Sequence, residues 1–203
     1  MIAITIAGIL LALAIPSYTD FIHNERQITQ ANALVFALSY ARSEAIKRDG
    51  TICVCPYNTA SPPNTATCGT DWKLGWIVHI PDPTQNPINC TLPNTALTAP
   101  LPILQTGPPT TPGAANSPTT LTATLSSTAV TSIGFQGIGT ALANNASITG
   151  GNNVQFKLCD VRGYSGSSAV YASARDVEVS ANGRAQASTT AGQTLNGTAL
   201  TCP

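Results

Sequence analysis

Side chains able to perform acid–base, nucleophilic or metal chemistry are few in this 203-residue sequence, of which only 9% is charged. The two histidines, His23 and His79, lie far apart along the chain, and neither accompanies a nucleophile motif. The nine carboxylates show no pair with the spacing of a general acid and base. The glycines at 134–139 are explained more simply as turn residues than as a phosphate-binding loop. We therefore predict a protein that is not an enzyme and has no cofactor, no metal and no small-molecule substrate.

Six cysteines are the remaining candidates for chemistry, and they could form disulfides or bind zinc. They are Cys53, Cys55, Cys68, Cys90, Cys159 and Cys202. A single residue separates Cys53 from Cys55, whereas zinc motifs usually place about two to four residues between such ligands. No Cys–His pairing in the sequence completes a set of four zinc ligands. Disulfides are therefore favoured, although six cysteines allow fifteen connectivities and the sequence does not choose among them.

A long helix at the start of the chain must position everything that follows. Met1–Ile15 is apolar at all but one position, and it continues without a linker into a second helical pattern. In that pattern, apolar residues recur at helical spacing on one face. They are Ala31, Leu34, Val35, Leu38, Ala41, Ala45 and Ile46. Pro16 is expected to kink or locally melt the helix near Ala12, and Asp49-Gly50 is expected to end it.

The apolar run is shorter than a membrane span. Its 15 residues rise about 22 Å as a helix, whereas crossing the hydrocarbon core takes about 20 residues. A signal peptide would have a basic n-region before the run and a small-residue cleavage site after it. No Lys or Arg precedes the run, and Pro16-Ser17-Tyr18 follows it. We expect the native segment to be longer, with this chain beginning inside it.

Short β-branched or aromatic runs predict strands on both sides of a proline-rich stretch. The runs cover 51–54, 75–80, 120–135, 153–158, 169–173 and 176–180. Asn182-Gly183 predicts a type I′ hairpin turn after the last of them. Because 10 of the 15 prolines lie between Pro81 and Pro118, residues 81–118 are predicted to form a surface insertion or extended linker within the head. Simple disorder of this stretch is the alternative.

Six short strings stand out along the chain in a fixed order. After the apolar start with Gly8 and Pro16, they are ARSEAIKR at 41–48, CVCP at 53–56, WKLGW at 72–76, FQG at 135–137, FKLC at 156–159 and NGR at 182–184. In these strings and in their order, most of the chain resembles the GspH/FimT family of type IV pilin-like proteins. The resemblance implies an α+β, pilin-like fold in which a long N-terminal helix packs on an antiparallel β-sheet head. It also implies a mature N-terminus cut by a prepilin peptidase, of which about six residues are missing here.

The same resemblance implies a division into an anchor and a head. Residues 1–23 are expected to form the membrane-anchoring and filament-core half of the helix. Residues 24–203 form the periplasmic or extracellular head, beginning with an amphipathic helix over 24–50. The implied function is that of a minor type IV pilin, held in the bacterial inner membrane by a single pass and then assembled with other pilins into a filament at the cell surface. A minor pseudopilin of a type II secretion system is the alternative, and a surface adhesin or binding module is a second alternative.

Some members of the family resemble DNA receptors for natural transformation, and their signature is a Gly-Arg-x-Arg string near the C-terminus. Gly183-Arg184 matches the first half of this string, while Gln186 replaces its second arginine. The candidate DNA-binding residues are Gly183, Arg184, Arg175, Arg162 and Lys157. Three acidic residues between 157 and 203 nearly cancel the four cations, so DNA binding is expected to be weak, independent of sequence and sensitive to salt. A solvated turn arginine is the alternative interpretation of Arg184.

Export of the head to an oxidising compartment would favour disulfides in it. The preferred pairs are Cys55–Cys68, Cys53–Cys90 and Cys159–Cys202. The first would close a short loop, which is worth about 3 kcal/mol in the chain-entropy model. The last would hold the C-terminus against an internal strand.

Overall fold

One long helix and 11 strands make up the part of the chain that this computed structural model describes, which is residues 2–58, 68–82, 88–91, 103–107, 119–160, 174–190 and 192–200. Helix α1 spans Ile2–Arg48, and a short 3₁₀ helix spans Trp72–Leu74. The strands are β1 (Ile52–Pro56), β2 (Trp76–His79), β3 (Ile103–Gly107), β4 (Thr119–Leu125), β5 (Thr128–Ala129), β6 (Ile133–Phe135), β7 (Ala141–Ala143), β8 (Ala146–Ser147), β9 (Asn153–Asp160), β10 (Arg175–Ser180) and β11 (Ala185–Ala187).

Helix α1 runs without a break through Pro16, so the local melting predicted near Ala12 is wrong. Its buried apolar side chains follow the helical spacing seen in the sequence, but two members of the predicted apolar face are not buried, since Val35 is half-buried and Ile46 is 50% exposed. The buried apolar side chains are Ala31, Leu34, Ala37, Leu38, Ala41 and Ala45. Four of these six are alanines, and such short side chains let the helix approach the strands closely. Among the described residues, no helix combines the length and the hydropathy that crossing a membrane requires.

The predicted stop at the end of α1 is a Schellman motif. The Gly50 amide donates to the carbonyl of Ala45 at 3.1 Å, and the Asp49 amide donates to the carbonyl of Ile46 at 3.3 Å. Asp49, not Gly50, takes the left-handed conformation, with φ of 47°. An aspartate is one of the few residues other than glycine that adopts this region readily.

The strands form two antiparallel sheets. The first has the order β3-β2-β1-β6-β7-β8, and the second has the order β11-β10-β9-β4-β5. Helix α1 contacts β1, β3 and β6 of the first sheet and β9, β10 and β11 of the second. All three layers contribute to one core, which includes Leu38, Trp76, Phe135 and Phe156. The predicted architecture of a long helix on antiparallel strands is confirmed, and the division into two sheets is a feature that the sequence did not predict.

Three tight turns connect neighbouring strands. The type of one of them, at Asn182-Gly183, had been predicted, and it differs from the prediction. Ser126-Ser127 joins β4 to β5 and Asn144-Asn145 joins β7 to β8, each with positive φ at both positions, as type I′ turns require. The predicted type I′ turn at Asn182-Gly183 is wrong in type, because only Gly183 has a positive φ. There, the Gly183 amide donates to the Ser180 carbonyl and the Ser180 amide to the Arg184 carbonyl. This is a type I turn closed by a glycine bulge.

The proline-rich stretch contains one strand among its described residues. Strand β3 lies within the predicted insertion 81–118 and pairs with β2 at the edge of the first sheet. Its last residue, Gly107, lies so close to the Trp76 indole that a Cβ would overlap the ring. An edge position suits a strand that is followed directly by prolines, because the missing amides need no partner there. The rest of 92–118 and the predicted strand at 169–173 lie outside the described residues.

Candidate functional site

Large apolar side chains of α1 remain uncovered on the side away from the core. Phe21 is 57% exposed and Phe36 is 62% exposed. The Phe36 ring stacks on Tyr40 one turn later, with centroids 6.4 Å apart. The buried described side chains of the helix begin only at Gln27, so the head covers part of α1 and leaves Phe21 and Phe36 in solvent. Exposed aromatic side chains on a helix are suited to packing against another chain.

The second candidate site is the corner where α1 meets the β10–β11 turn. The Nε of Arg42 donates to the carbonyl of Gly139, in the β6–β7 loop, at 3.1 Å. Gly183 lies against both: a Cβ there would overlap the Gly139 oxygen and lie 3.0 Å from the Arg42 Nε. The Ala141 amide also donates to the Ala181 carbonyl at 2.9 Å. The helix, the first sheet and the second sheet are therefore joined at this corner.

Arg184 follows Gly183 directly and is exposed. Its amide donates to the Asn182 side chain at 3.2 Å, which leaves the guanidinium to project from a fixed turn. The half-buried Arg42 lies against the Gly183 backbone. Two arginines from distant parts of the chain are thus next to Gly183, Arg42 by packing and Arg184 by sequence. Arg42 was missed because the helical string around it is explained well enough by a solvated helix face.

The other predicted cations do not join this corner. Arg175 begins β10 and Arg184 follows its far end, which separates their backbones along the hairpin by about 17 Å. Lys157 is paired in register with Asp176, so it lies on the opposite face of the sheet from Arg175. Arg162 lies outside the described residues. Of the predicted DNA-binding residues that the structure describes, only Gly183 and Arg184 lie at this corner, and Arg175 and Lys157 lie elsewhere.

A pair of buried carboxyl groups occupies the outer face of the second sheet. Asp176 is fully buried and Glu178 is 7% exposed, two residues apart on β10. Their partners are amides, since Gln155 Nε2 donates to Asp176 at 3.3 Å and Asn153 Nδ2 to Glu178 at 2.8 Å. Burial, together with the neighbouring Glu178, raises the pKa of Asp176 to about 7.

The outer face of the first sheet is covered by two segments that disulfides hold in place. Cys53 is joined to Cys90 and Cys55 to Cys68, which are two of the three predicted pairs. Cys53 and Cys55 point to the same side of β1, and the core-facing side is taken by Val54. Cys202 lies outside the described residues, so the Cys159–Cys202 pair stays a prediction.

His79 is buried beneath these disulfides. It is 1% exposed and is paired in register with Cys53. Burial lowers the pKa of His79 because it removes water from the imidazolium, and backbone groups of Ile80 and Cys90 offset this shift in part. Its Nδ1 makes no hydrogen bond of good geometry within the described residues. The imidazole is therefore neutral at neutral pH.

A long N-terminal helix packed on antiparallel sheets, with the aromatic side chains of Phe21 and Phe36 exposed on it, defines a protein of the pilin-like class. The family model described as type II transport protein GspH matches residues 30–183, which is more than half of the chain, and the chain belongs to this family.

Two crystal structures of the type IV minor pilin FimU from Pseudomonas aeruginosa strain PAO1 are similar in structure. The first is 18% identical, covers 84% of this chain and 98% of its own, and gives a TM-score of 0.49. The second is 21% identical, covers 79% of this chain and 90% of its own, and gives a TM-score of 0.44. A comparison with curated protein sequences gives no match.

Proposed function

We propose that this protein is a minor type IV pilin, a non-enzymatic subunit that residues 1–23 anchor in the bacterial inner membrane and that packs into a filament with other pilins through α1. The supporting observation is the uneven burial of that helix. Its 47 residues measure about 70 Å, and the described side chains are buried only from Gln27 onward. The exposed Phe21 and Phe36 are available to partners from outside the chain, and the apolar sequence Met1–Ile15 is the segment that we expect to enter the membrane.

The proposal is tested by incorporation into filaments in a bacterium from which the native gene is deleted. Phe21→Asp should abolish incorporation, because it places a charge on the proposed packing surface of α1 without touching the core of the head. Ile138→Asp is the matched control, since Ile138 is 80% exposed and lies outside α1, in the β6–β7 loop. Equal recovery of both variants in sheared filaments would contradict the proposed role of α1.

A minor pseudopilin of a type II secretion system is the alternative, and the description of the matching family favours it. Both kinds of subunit would use the same helix, so the Phe21 experiment does not separate them. The deletion itself does: loss of surface pili with normal protein secretion supports the pilin, and loss of secretion with normal pili supports the pseudopilin.

DNA binding at the Arg42–Gly183–Arg184 corner is a second candidate function. It is supported by the exposed Arg184 and by Arg42, whose side chain lies against the backbone of the preceding Gly183. With Arg175 and Lys157 elsewhere, few phosphates can be contacted, so binding is expected to be weak and independent of sequence.

We would measure duplex DNA binding to the head at low and at physiological salt. Arg184→Ala should weaken binding to all sequences and lower the salt slope by about 1. Arg26→Ala removes the same charge from an exposed position on α1 and should change binding less. A head that binds DNA equally well with and without Arg184 would place the site elsewhere.

A further inference from the structure

Three ligand-type atoms lie together on the outer face of β1 and β2. The Cys55 Sγ, the Cys68 Sγ and a ring nitrogen of His79 are all within 4.8 Å of one another. The Cys68 Sγ lies 3.5 Å from the His79 Nε2. Cys55 and His79 are buried, and Cys68 is half-buried, so the group is reachable from one side. This grouping was invisible in the sequence, where the histidine is 11 residues from the nearer cysteine.

One separation among these atoms, between Cys68 and His79, already fits a tetrahedral zinc ion. With Zn–S of about 2.3 Å and Zn–N of about 2.0 Å, the sulfur and nitrogen ligands of such a site are about 3.5 Å apart. Cys68 and His79 already have this separation. The two sulfurs are covalently joined in the disulfide, and they would move apart to about 3.8 Å around the same ion.

The charges at this position also suit the ion. Two thiolates and a neutral imidazole carry two negative charges, which a zinc ion cancels, so the occupied site has no net charge to bury.

We propose that the thiol form of this protein binds one zinc ion through Cys55, Cys68 and His79, with the fourth position open to water. The ion and the Cys55–Cys68 disulfide are then alternative cross-links between the same backbone segments, β1 and the residues around Cys68. Zinc additionally fixes β2 through His79. Binding releases the two thiol protons, and it requires that the disulfide is either not yet formed or has been reduced.

The experiment uses the full chain in detergent, oxidised or reduced with a water-soluble phosphine. The phosphine supplies two electrons to the S–S bond and becomes a phosphine oxide with oxygen from water, while two protons from water go to the sulfurs. Cobalt(II) and zinc(II) chloride are the probes. The reduced chain should bind one ion, give the intense visible bands of tetrahedral cobalt with thiolate charge-transfer absorption, and melt at a higher temperature with zinc. The oxidised chain should do none of these.

Matched variants assign the ligands. Cys53→Ser with Cys90→Ser removes the neighbouring pair and should retain the cobalt spectrum, whereas Cys55→Ser with Cys68→Ser should abolish it. His79→Asn keeps every cysteine and should weaken zinc binding by at least about tenfold, the loss caused even by disturbing the outer shell of a metal ligand.

Two results would overturn the proposal. One is zinc binding that His79→Asn leaves unchanged, which would indicate thiols acting without the histidine. The other is a reduced chain that binds zinc with no rise in melting temperature, which would indicate binding to the unfolded chain.

Discussion

The Nε of Arg42 donates to the carbonyl of Gly139 at 3.1 Å, across 97 residues of sequence. This bond ties the last turns of α1 to the β6–β7 loop, and the backbone of Gly183 closes the third side of the contact. A charged donor bonded to a half-buried carbonyl is stronger than a neutral hydrogen bond. The candidate DNA motif therefore lies on a structural joint, and its glycine has a mechanical role whatever Arg184 does.

Gly183→Ala should destabilise the protein more than the same change at another glycine of similar conformation. A left-handed φ costs alanine about 1–2 kcal/mol, and overlap with the Gly139 oxygen adds about 1–3 kcal/mol. Gly151 is the matched control, because its φ is 72° and a Cβ added there would have no neighbouring atom within 4 Å. Thermal unfolding of both variants measures the difference in stability. Equal losses would show that the backbone around Gly183 and Gly139 can move to make room for the added Cβ.

The Asp176 carboxyl should make stability fall as pH rises. Its pKa is about 7 in the folded chain against an ordinary value of 3.8, so between these pH values the folded state binds the additional proton. The contribution of Asp176 to the free energy of unfolding is present at about pH 4 and is lost progressively toward pH 7. The loss is at most about 4 kcal/mol, because each pKa unit between the folded and unfolded chain corresponds to about 1.4 kcal/mol. Glu178 and Lys157 are the charged groups that face it.

Asp176→Asn should remove this pH dependence and raise the melting temperature above pH 7. Glu25→Gln, at an exposed position on α1, is the control for losing a carboxylate. If the melting temperature of Asp176→Asn still falls between pH 4 and pH 7 as it does in the native protein, another group is responsible.

The elements that the sequence predicted well are those specified by short-range patterns. The buried face of α1, strand β1 and strand β10 each carry their periodicity in a few neighbouring residues. The predicted strand at 51–54 is observed at Ile52–Pro56, and the one at 176–180 at Arg175–Ser180. The division of the strands into two sheets could not be predicted from such local patterns. It depends on which strands pair with each other, and the pairing strands are distant in the sequence.

The candidate sites show the same difference between local features, which the sequence predicts, and contacts between distant residues, which it does not. Arg184 was identified from a local string, but Arg42, which lies against the preceding Gly183, belongs to a helix 142 positions before Arg184 in the sequence. His79 was set aside because it accompanies no nucleophile motif, and nothing local places it beside Cys68. Asp176 was counted as a charge that cancels nearby cations, whereas its burial raises its pKa to about 7. Burial and close approach are properties of the packed chain, so each of these required the structure.

The disulfides should contribute unequally to stability. In the chain-entropy model a loop spanning 37 residues, as between Cys53 and Cys90, is worth about 4 kcal/mol, and one spanning 13, as between Cys55 and Cys68, is worth about 3 kcal/mol. Replacing the first pair with serines should therefore cost more in denaturant unfolding than replacing the second. The opposite order would show that native-state packing of the cysteines outweighs loop entropy.

Thiol counting tests the third pair. Under denaturing, non-reducing conditions, protein from an oxidising compartment should show no free thiol, and peptide mapping should recover Cys159 linked to Cys202. Two free thiols at these positions would remove the predicted attachment of the C-terminus.

A chain that starts at Asn24 should be soluble and monomeric, while the full chain should need detergent. The shortened chain loses the apolar run Met1–Ile15 and keeps Gln27, the first buried described side chain of α1. Its melting temperature should therefore stay close to that of the full chain. A chain that starts at Val35 is the control, because it also loses Ala31 and Leu34 from the core and should be destabilised by several kcal/mol, as removing large buried side chains does. Light scattering after size exclusion gives the association state. A full chain that remains monomeric without detergent would remove the basis for an anchor, and with it the proposed packing of α1 in a filament.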